Sequence, residues 1–289
     1  MGEIKDFNCT YSNSAGISGK ATEGLGLSFP DAYLHAETMA ELSKALKRHD
    51  GAAFCELPFC HTVEAEAMGG VIQYGDEKTG PRAKEYICSS LEEVLSLPPI
   101  DFHSGRIHEV LLACRRLKEQ GEHVVLEVSG PFTILNALID VKYVFKGMRK
   151  KPELVKEVFW KLGEQILAFM EEAKKYGAEM ISYADSSGGV NILGPNMARQ
   201  VAEDFTRDFL KRAEKIADED TLLLLCPKTT FALLGLGMIV FKDRLLPEPM
   251  RYGEACIYMK GTAKIAGQTC MKNIEYRLDS GIFKEIVLL

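Results

Sequence analysis

Apolar residues recur along this chain in two alternating rhythms, the three-and-four spacing of an amphipathic helix and the short unbroken run of a buried strand. Glu37 to Arg48 is helical, with Met39, Leu42, Ala45 and Leu46 on one face and a stop at Gly51. Ala52 to Phe59 reads as a buried strand, after which Thr62 is placed to cap a helix holding Glu64 in its first turn. Val71 to Pro81 is polar and interrupted by glycine. Ser90-Leu91-Glu92-Glu93 is a capping box for a short helix that Pro98 and Pro99 end. Arg106 to Gln120 is a second amphipathic helix, closed by Gly121, and Val124 to Val128 a strand. Pro152 to Tyr176 is the longest helix, with proline in its first turn and Gly177 after its end. Met180 to Ala184 is a strand that runs into Asp185-Ser186-Ser187-Gly188-Gly189. A helix over about Asn196 to Ala217 and the four leucines of Leu222 to Leu225, a strand buried on both faces, complete the regular part.

Strand and helix alternate throughout, which predicts a parallel sheet with right-handed crossovers. The length of 289 residues admits two small domains or one α/β barrel of roughly 250 residues. Beyond Cys226 the units shrink: Gly237 to Phe241 and Lys264 to Ala266 are short strands, and Ile274 to Leu289 holds one more helix. Six strands are legible where a closed barrel needs eight. Residues 1–28, rich in Gly, Ser, Thr and Asn, are expected to form an arm or loop ahead of a domain over 29–289.

Composition adds exclusions. With 46% hydrophobic and 26% charged residues the chain is ordinary globular protein, ample for a large core. The net charge is −6 and no basic stripe occurs, so nucleic acid is not an expected partner. No apolar run approaches the ~20 residues of a membrane span, and no signal peptide is seen. The 8 cysteines include no CxxC pair; they read as thiols in a reducing cytoplasm, mostly structural, with one or two available to a metal.

The chemistry-bearing residues cluster where strands end. Cys60, His61, Glu64 and Glu66 follow the first strand within seven positions. Two residues apart on a helix, Glu64 and Glu66 point different ways, so one of them at most faces a site. Both also suit the first turn of a helix by its dipole. Asp185, between a buried strand and two glycines, either orients a substrate or accepts a proton, or is a turn former. His49, His103, His108 and His123 read as surface residues.

Leu57 to Gly70, in particular Pro58-Phe59 and Thr62-Val63-Glu64-Ala65-Glu66-Ala67-Met68-Gly69, resembles a motif of the uroporphyrinogen decarboxylase superfamily in its cobamide-dependent methyltransferase branch. Phe29 to His35 with Met39-Ala40-Glu41-Leu42, Gly130-Pro131-Phe132-Thr133 and Asn191 to Pro195 resemble further blocks of it, although His35 stands two positions later than the family spacing. The resemblance implies a TIM-type (β/α)8 barrel, incomplete or truncated near its C-terminus. It also implies methyl transfer between a corrinoid (methylcobamide) protein, which would supply the cofactor as a partner, and a thiol or other small-molecule acceptor. His35, His61, Glu64 and Asn191 would then contact substrate, and Asp185 and Cys226 would be catalytic. In that branch the strand ends His-x-Cys, and this His and Cys bind zinc together with a second Cys near the C-terminus. Here the strand ends Leu224-Leu225-Cys226, and Cys270 is the candidate second ligand. Leucine cannot ligate, and two thiols fall short of the usual three protein ligands, so a zinc site would need His61, Cys60 or Glu64 to complete it.

Two other readings compete. A degenerate, non-catalytic paralogue would bind a corrinoid protein or small ligand without turning it over. A uroporphyrinogen-type decarboxylase would need an N-terminal arginine clamp for its many carboxylates, and no arginine precedes Arg48.

Overall fold

The computed structural model describes residues 2–9, 17 and 19–289, so the arm expected over 1–28 lies partly outside the described residues. Its described part holds one short helix, α1 (Gly19–Thr22). Helix α2 (Ala36–Asp50) buries Met39, Ala40, Leu42 and Ala45, and Gly51 ends it in the left-handed conformation at φ 66°, which costs glycine no Cβ clash. Strand β1 (Cys55–Leu57) is shorter than the apolar run around it, because Pro58 brings no N–H to the ladder. In α3 (Val63–Ala67), Thr62 occupies the N-cap position without capping; its hydroxyl accepts from Arg106 Nη2 at 2.7 Å instead.

The polar stretch that follows is not a plain loop. It contributes to a hairpin of β2 (Val71–Gln73) and β3 (Arg82–Glu85). Half of the expected capping box of α4 (Leu91–Ser96) forms: Ser90 Oγ accepts from the Glu93 amide at 3.2 Å, while the Glu93 carboxylate accepts from the Ser89 amide, one residue before the N-cap, at 2.7 Å. Then come α5 (Gly105–Glu119), β4 (Val124–Ser129), α6 (Pro131–Leu138), α7 (Val141–Lys150), α8 (Pro152–Lys175) and β5 (Met180–Ala184). The next helix, α9 (Val190–Val201), starts earlier than its periodicity suggests and kinks at Gly194, φ 71°, ahead of Pro195. A wider π turn over Ala202–Thr206 joins it to α10 (Arg207–Ala213). Strand β6 (Leu222–Leu225) and α11 (Pro227–Leu236) follow.

The C-terminal part departs most from expectation. Strand β7 (Ile239–Leu245) leads to α12 (Tyr252–Met259) and then β8 (Ile265–Ala266). The helix expected within 274–289 is a loop followed by β9 (Ile282–Leu288). Its β-branched residues suit a pleated surface, and it pairs with β7 along its whole length, Ile282 opposite Leu245 and Leu288 opposite Ile239.

Seven strands form one sheet in the order β1-β4-β5-β6-β8-β9-β7. The first five are parallel, and β9 runs antiparallel to both of its neighbours. The α/β alternation is therefore as predicted, while the described strands leave edges at β1 and β7. The two faces explain the shape. Leu57, Leu126, Ile181, Leu223 and Ile265 belong to the core shared with α2, α5, α8 and α10. Val125, Met180, Leu222 and Leu224 pack with Tyr252, Ala255, Cys256 and Met259 of α12. One face of the sheet is thus covered by α12. Each of the four leucines of β6 is buried, at roughly 1.5–3 kcal/mol apiece. Among the described residues no helix is long and apolar enough to cross a membrane.

Candidate active site

Parallel strands end on one side of a sheet, and there the chain gathers its ionisable groups. Glu127 lies in register with Ser182, Ser182 with Leu224, and Leu224 with Ala266. This row lies on the sheet face against which α12 packs, with Leu224 and Ala266 in that layer. Cys226 is two positions beyond Leu224 and so points the same way.

Glu127 is the electrostatic centre of this mouth. His61 Nε2 is 3.6 Å from its Oε1, and Lys272 Nζ is 3.4 Å from its Oε2 and 3.1 Å from Glu56 Oε1. Burial opposes the charge on Glu127, but His61 and Lys272 outweigh it and hold its pKa below the usual carboxylate value. Glu56, with less compensation, is pushed up by burial. The carboxylate of Glu127, with that of Glu56, raises the pKa of Lys272, which stays charged.

Two further buried carboxylates join loops to strand ends. Glu64 accepts from the Ser129 amide at 2.6 Å and the Ser129 hydroxyl at 3.1 Å, and burial raises its pKa. Asp185 accepts from the Thr133 amide at 2.8 Å, the Thr133 hydroxyl at 2.9 Å and the Phe132 amide at 3.3 Å. It therefore caps the first turn of α6 from a neighbouring strand end. Burial lifts it to about 6 in spite of these donors. Gly130 makes the approach possible, since a Cβ there would collide with the Asp185 side chain. Glu66 faces away from Glu64, as helix spacing requires: Arg106 Nε donates to it at 2.5 Å and the Tyr74 hydroxyl at 2.6 Å. Arg106 also reaches Cys60 Sγ at 3.1 Å, so Cys60 belongs to this clamp.

Cys226 and Cys270 stand at the ends of β6 and β8. Burial pushes Cys226 up to about 11 and Cys270 to about 12, and Cys226 and Glu127 both add to the rise at Cys270. The two thiols are thus brought together beside Glu127, and both stay protonated at neutral pH. Among the described residues no three His, Cys, Asp or Glu side chains are arranged to hold a metal ion. Leu224, where the resemblance has a histidine, is buried in the apolar layer with α12, and Lys272 already neutralises Glu127. The arrangement does not fit a three-ligand zinc site.

A cavity of about 180 Å3 opens at the same end, lined by His61, Thr62, Arg82, Thr133, Asn136 and Ser187 among others. His61, Glu64, Asp185, Cys226 and Cys270 therefore lie at one mouth. His35 does not join them: it is exposed at the start of α2. Asn191 is exposed in the first turn of α9. His108, read as a surface residue, is half-buried with its ring against Tyr176. Sequence reasoning missed Glu127, Lys272 and Arg82. The signal for Glu127 was a single charge inside the apolar run Val124–Ser129; Lys272 and Arg82 sit in segments with no periodicity to place them.

The family model for uroporphyrinogen decarboxylase (URO-D) matches residues 17–236. The chain belongs to the uroporphyrinogen decarboxylase family. Among curated proteins it is similar to the methylcobamide:CoM methyltransferase MtaA of Methanosarcina barkeri, 27% identical over 227 residues, covering 78% of this chain and 66% of that protein. It is also similar to MtbA of the same activity from Methanosarcina acetivorans, 25% identical over 214 residues, covering 73% of this chain and 62% of that protein. The chain thus spans slightly less than two thirds of these relatives. A solved methyltransferase from Methanosarcina mazei shares the fold of this URO-D family member, with a TM-score of 0.65 at 24% identity over 81% of this chain and 68% of that one.

Proposed function

We propose that the protein is a methyltransferase that moves a methyl group between a corrinoid protein and a thiol or other small nucleophile. The observation that carries this reading is the gathering of His61, Glu127, Asp185 and the Cys226–Cys270 pair at one mouth, in a chain whose curated relatives bear that activity in their names. The acceptor enters the cavity beside His61, and the corrinoid protein docks over the rim. The acceptor's S–H bond breaks as its sulfur forms a bond to the methyl carbon. The methyl group would be delivered by the partner's corrinoid, which would keep the bonding electron pair as the methyl leaves, and the thiol proton passes to His61. Glu127 stabilises the imidazolium so formed, and Lys272 keeps Glu127 ionised. Asp185 holds the start of α6 in place and so shapes the cavity wall, and its own carboxyl titrates near pH 6. The absence of CxxC pairs and of disulfides suits a reducing cytoplasm.

The test is to mix the protein with methylcobalamin and small thiols and to follow loss of the methyl–cobalt absorbance together with formation of the thioether. Transfer well above the protein-free rate supports the reading; no transfer with any thiol, with or without added zinc, sinks it. The non-catalytic reading draws on one observation, the hydrocarbon of Leu224 beside thiols that stay protonated. It expects binding of a corrinoid protein without transfer in the same experiment.

A further inference from the structure

Helix α7 concentrates positive charge in an acidic chain. Its sequence carries Lys142, Lys146, Arg149 and Lys150 and no Asp or Glu, and Lys151 follows directly, while the chain as a whole stands at −6. Lys146 and Lys150 are four apart, so their ammonium groups share one face of the helix and repel each other. The surrounding carboxylates are engaged elsewhere. Asp140 pairs with Lys142 at 2.7 Å, Glu153 with Lys156 at 3.4 Å, and Glu93 accepts from the amide and the hydroxyl of Ser89. Among the described residues no carboxylate pairs with Lys146 or Lys150.

These lysines border a concavity. Gly147 lets α7 press against α4 and α8, since a Cβ there would lie 2.5 Å from Leu91 and 3.0 Å from Val155. Between the three helices is a cavity of about 280 Å3, lined by Lys146, Lys150 and Lys151. Its single acidic lining group is Glu92, which pairs with Lys151 at 2.7 Å. Three lysines against one glutamate leave a net charge of +2. Ser90, also in the wall, accepts from the Glu93 amide at 3.2 Å, which leaves its hydroxyl hydrogen to donate. Tyr143 and Leu154 add an apolar side. None of these residues lines the cavity beside His61, so the site is separate from the mouth.

The charge balance selects the ligand. A singly charged acid would leave one lysine uncompensated. A phosphate monoester carries about −1.5 to −2 at neutral pH and presents three acceptor oxygens to ammonium and hydroxyl donors. The volume lies just below the roughly 300–1,000 Å3 of most ligand sites, which suits phosphate bearing at most a short organic group. We propose that the cavity between α4, α7 and α8 binds a phosphate group, free or as the monoester of a small molecule, through Lys146, Lys150 and Ser90. This site goes beyond the transfer reading and does not depend on it.

Titration calorimetry of the full chain with inorganic phosphate, glycerol 3-phosphate and acetate, at constant ionic strength, tests the assignment. Both phosphates bind saturably and about tenfold or more tighter than acetate. Tighter binding of glycerol 3-phosphate than of phosphate assigns the site to an ester whose organic part meets Tyr143; equal binding assigns it to the free ion. Lys146→Gln/Lys150→Gln, at two exposed positions, weakens phosphate binding about tenfold or more at unchanged Tm. Glu92→Gln releases Lys151 and tightens phosphate binding about threefold, a gain that a misfolded variant would not show. Binding of acetate as tight as that of phosphate, no saturable binding of either phosphate, or an affinity unchanged in both variants overturns the assignment. His61→Gln leaves phosphate binding as it is, so this site and the transfer reading fail separately.

Discussion

Replacing Lys272 by Met tests the electrostatic centre of the mouth. Lys272 is the cation for both Glu127 and Glu56, at 3.4 and 3.1 Å. Methionine keeps most of the stem and removes the charge. Two carboxylates then face each other with no lysine between them, and only the His61 ring remains beside Glu127. Breaking one side of a buried pair costs about 3–5 kcal/mol. Lys272 is half-buried, so solvent screening lowers the expected loss at pH 7.5 to about 2–3 kcal/mol. The sign of the pH dependence also changes. In the wild type the Glu127 pKa is depressed, so its contribution is present above the unfolded carboxylate pKa and is lost as pH falls through the folded value. Without Lys272, burial dominates and the folded pKa rises above the unfolded one. The folded state then prefers the protonated acid, and stability is regained as pH falls from 7.5 toward 5. Urea unfolding at pH 7.5 and 5.5 measures both effects, and Lys272→Met/Glu127→Gln recovers at least half of the loss. A loss below about 0.5 kcal/mol at pH 7.5, or an unchanged pH slope, refutes the reasoning.

Further outcomes follow from the same geometry. Glu179, held to about 2 against burial by Lys118, His123 and Lys260, contributes stability above the unfolded carboxylate pKa that is lost as pH falls toward 2; Glu179→Gln costs about 1–2 kcal/mol at pH 7 after screening and flattens acid unfolding curves. Asp185, raised to about 6, works in the other sense: its burial cost appears as pH rises through 6, so an NMR titration of the Thr133 amide shows a step near pH 6 that Asp185→Asn abolishes. Gly130→Ala drives a Cβ into Asp185 and lowers stability by about 1–3 kcal/mol, read by thermal melting. Dialysis against zinc followed by metal analysis gives well under one equivalent per chain, because two thiols lack a third donor; a full equivalent that vanishes in Cys226→Ala contradicts that account.

Periodicity made the first three quarters of the fold legible. Met180–Ala184 and Leu222–Leu225 have the bounds expected of them, because buried parallel strands are short apolar runs bracketed by turn formers. Ile282–Leu288 was read as helix, since its pairing with β7 is a long-range fact that a seven-residue apolar segment does not announce. Helix α12 was missed for a related reason: it is buried against one face of the sheet, so it lacks the polar stripe that marks a surface helix. At the candidate site, His61, Glu64, Asp185 and Cys226 stand out in the sequence because each follows a strand end. Arg82 and Lys272 do not: Arg82 opens the short hairpin strand β3 and Lys272 lies in an irregular segment, and each gains its meaning from the cavity or carboxylates it meets across the chain. His35 lies in a segment similar to the family motif, yet its place at the start of α2 leaves it in solvent.

The central claim is that chemistry occurs at the mouth where His61 meets Glu127. The direct measurement is the methyl-transfer rate from methylcobalamin to a bound thiol in wild type and in a folded His61→Gln variant with an unchanged melting temperature. Removal of the proton acceptor lowers the maximal rate about 100-fold or more at saturating thiol. A His61→Gln protein that transfers methyl groups at the wild-type rate contradicts the account.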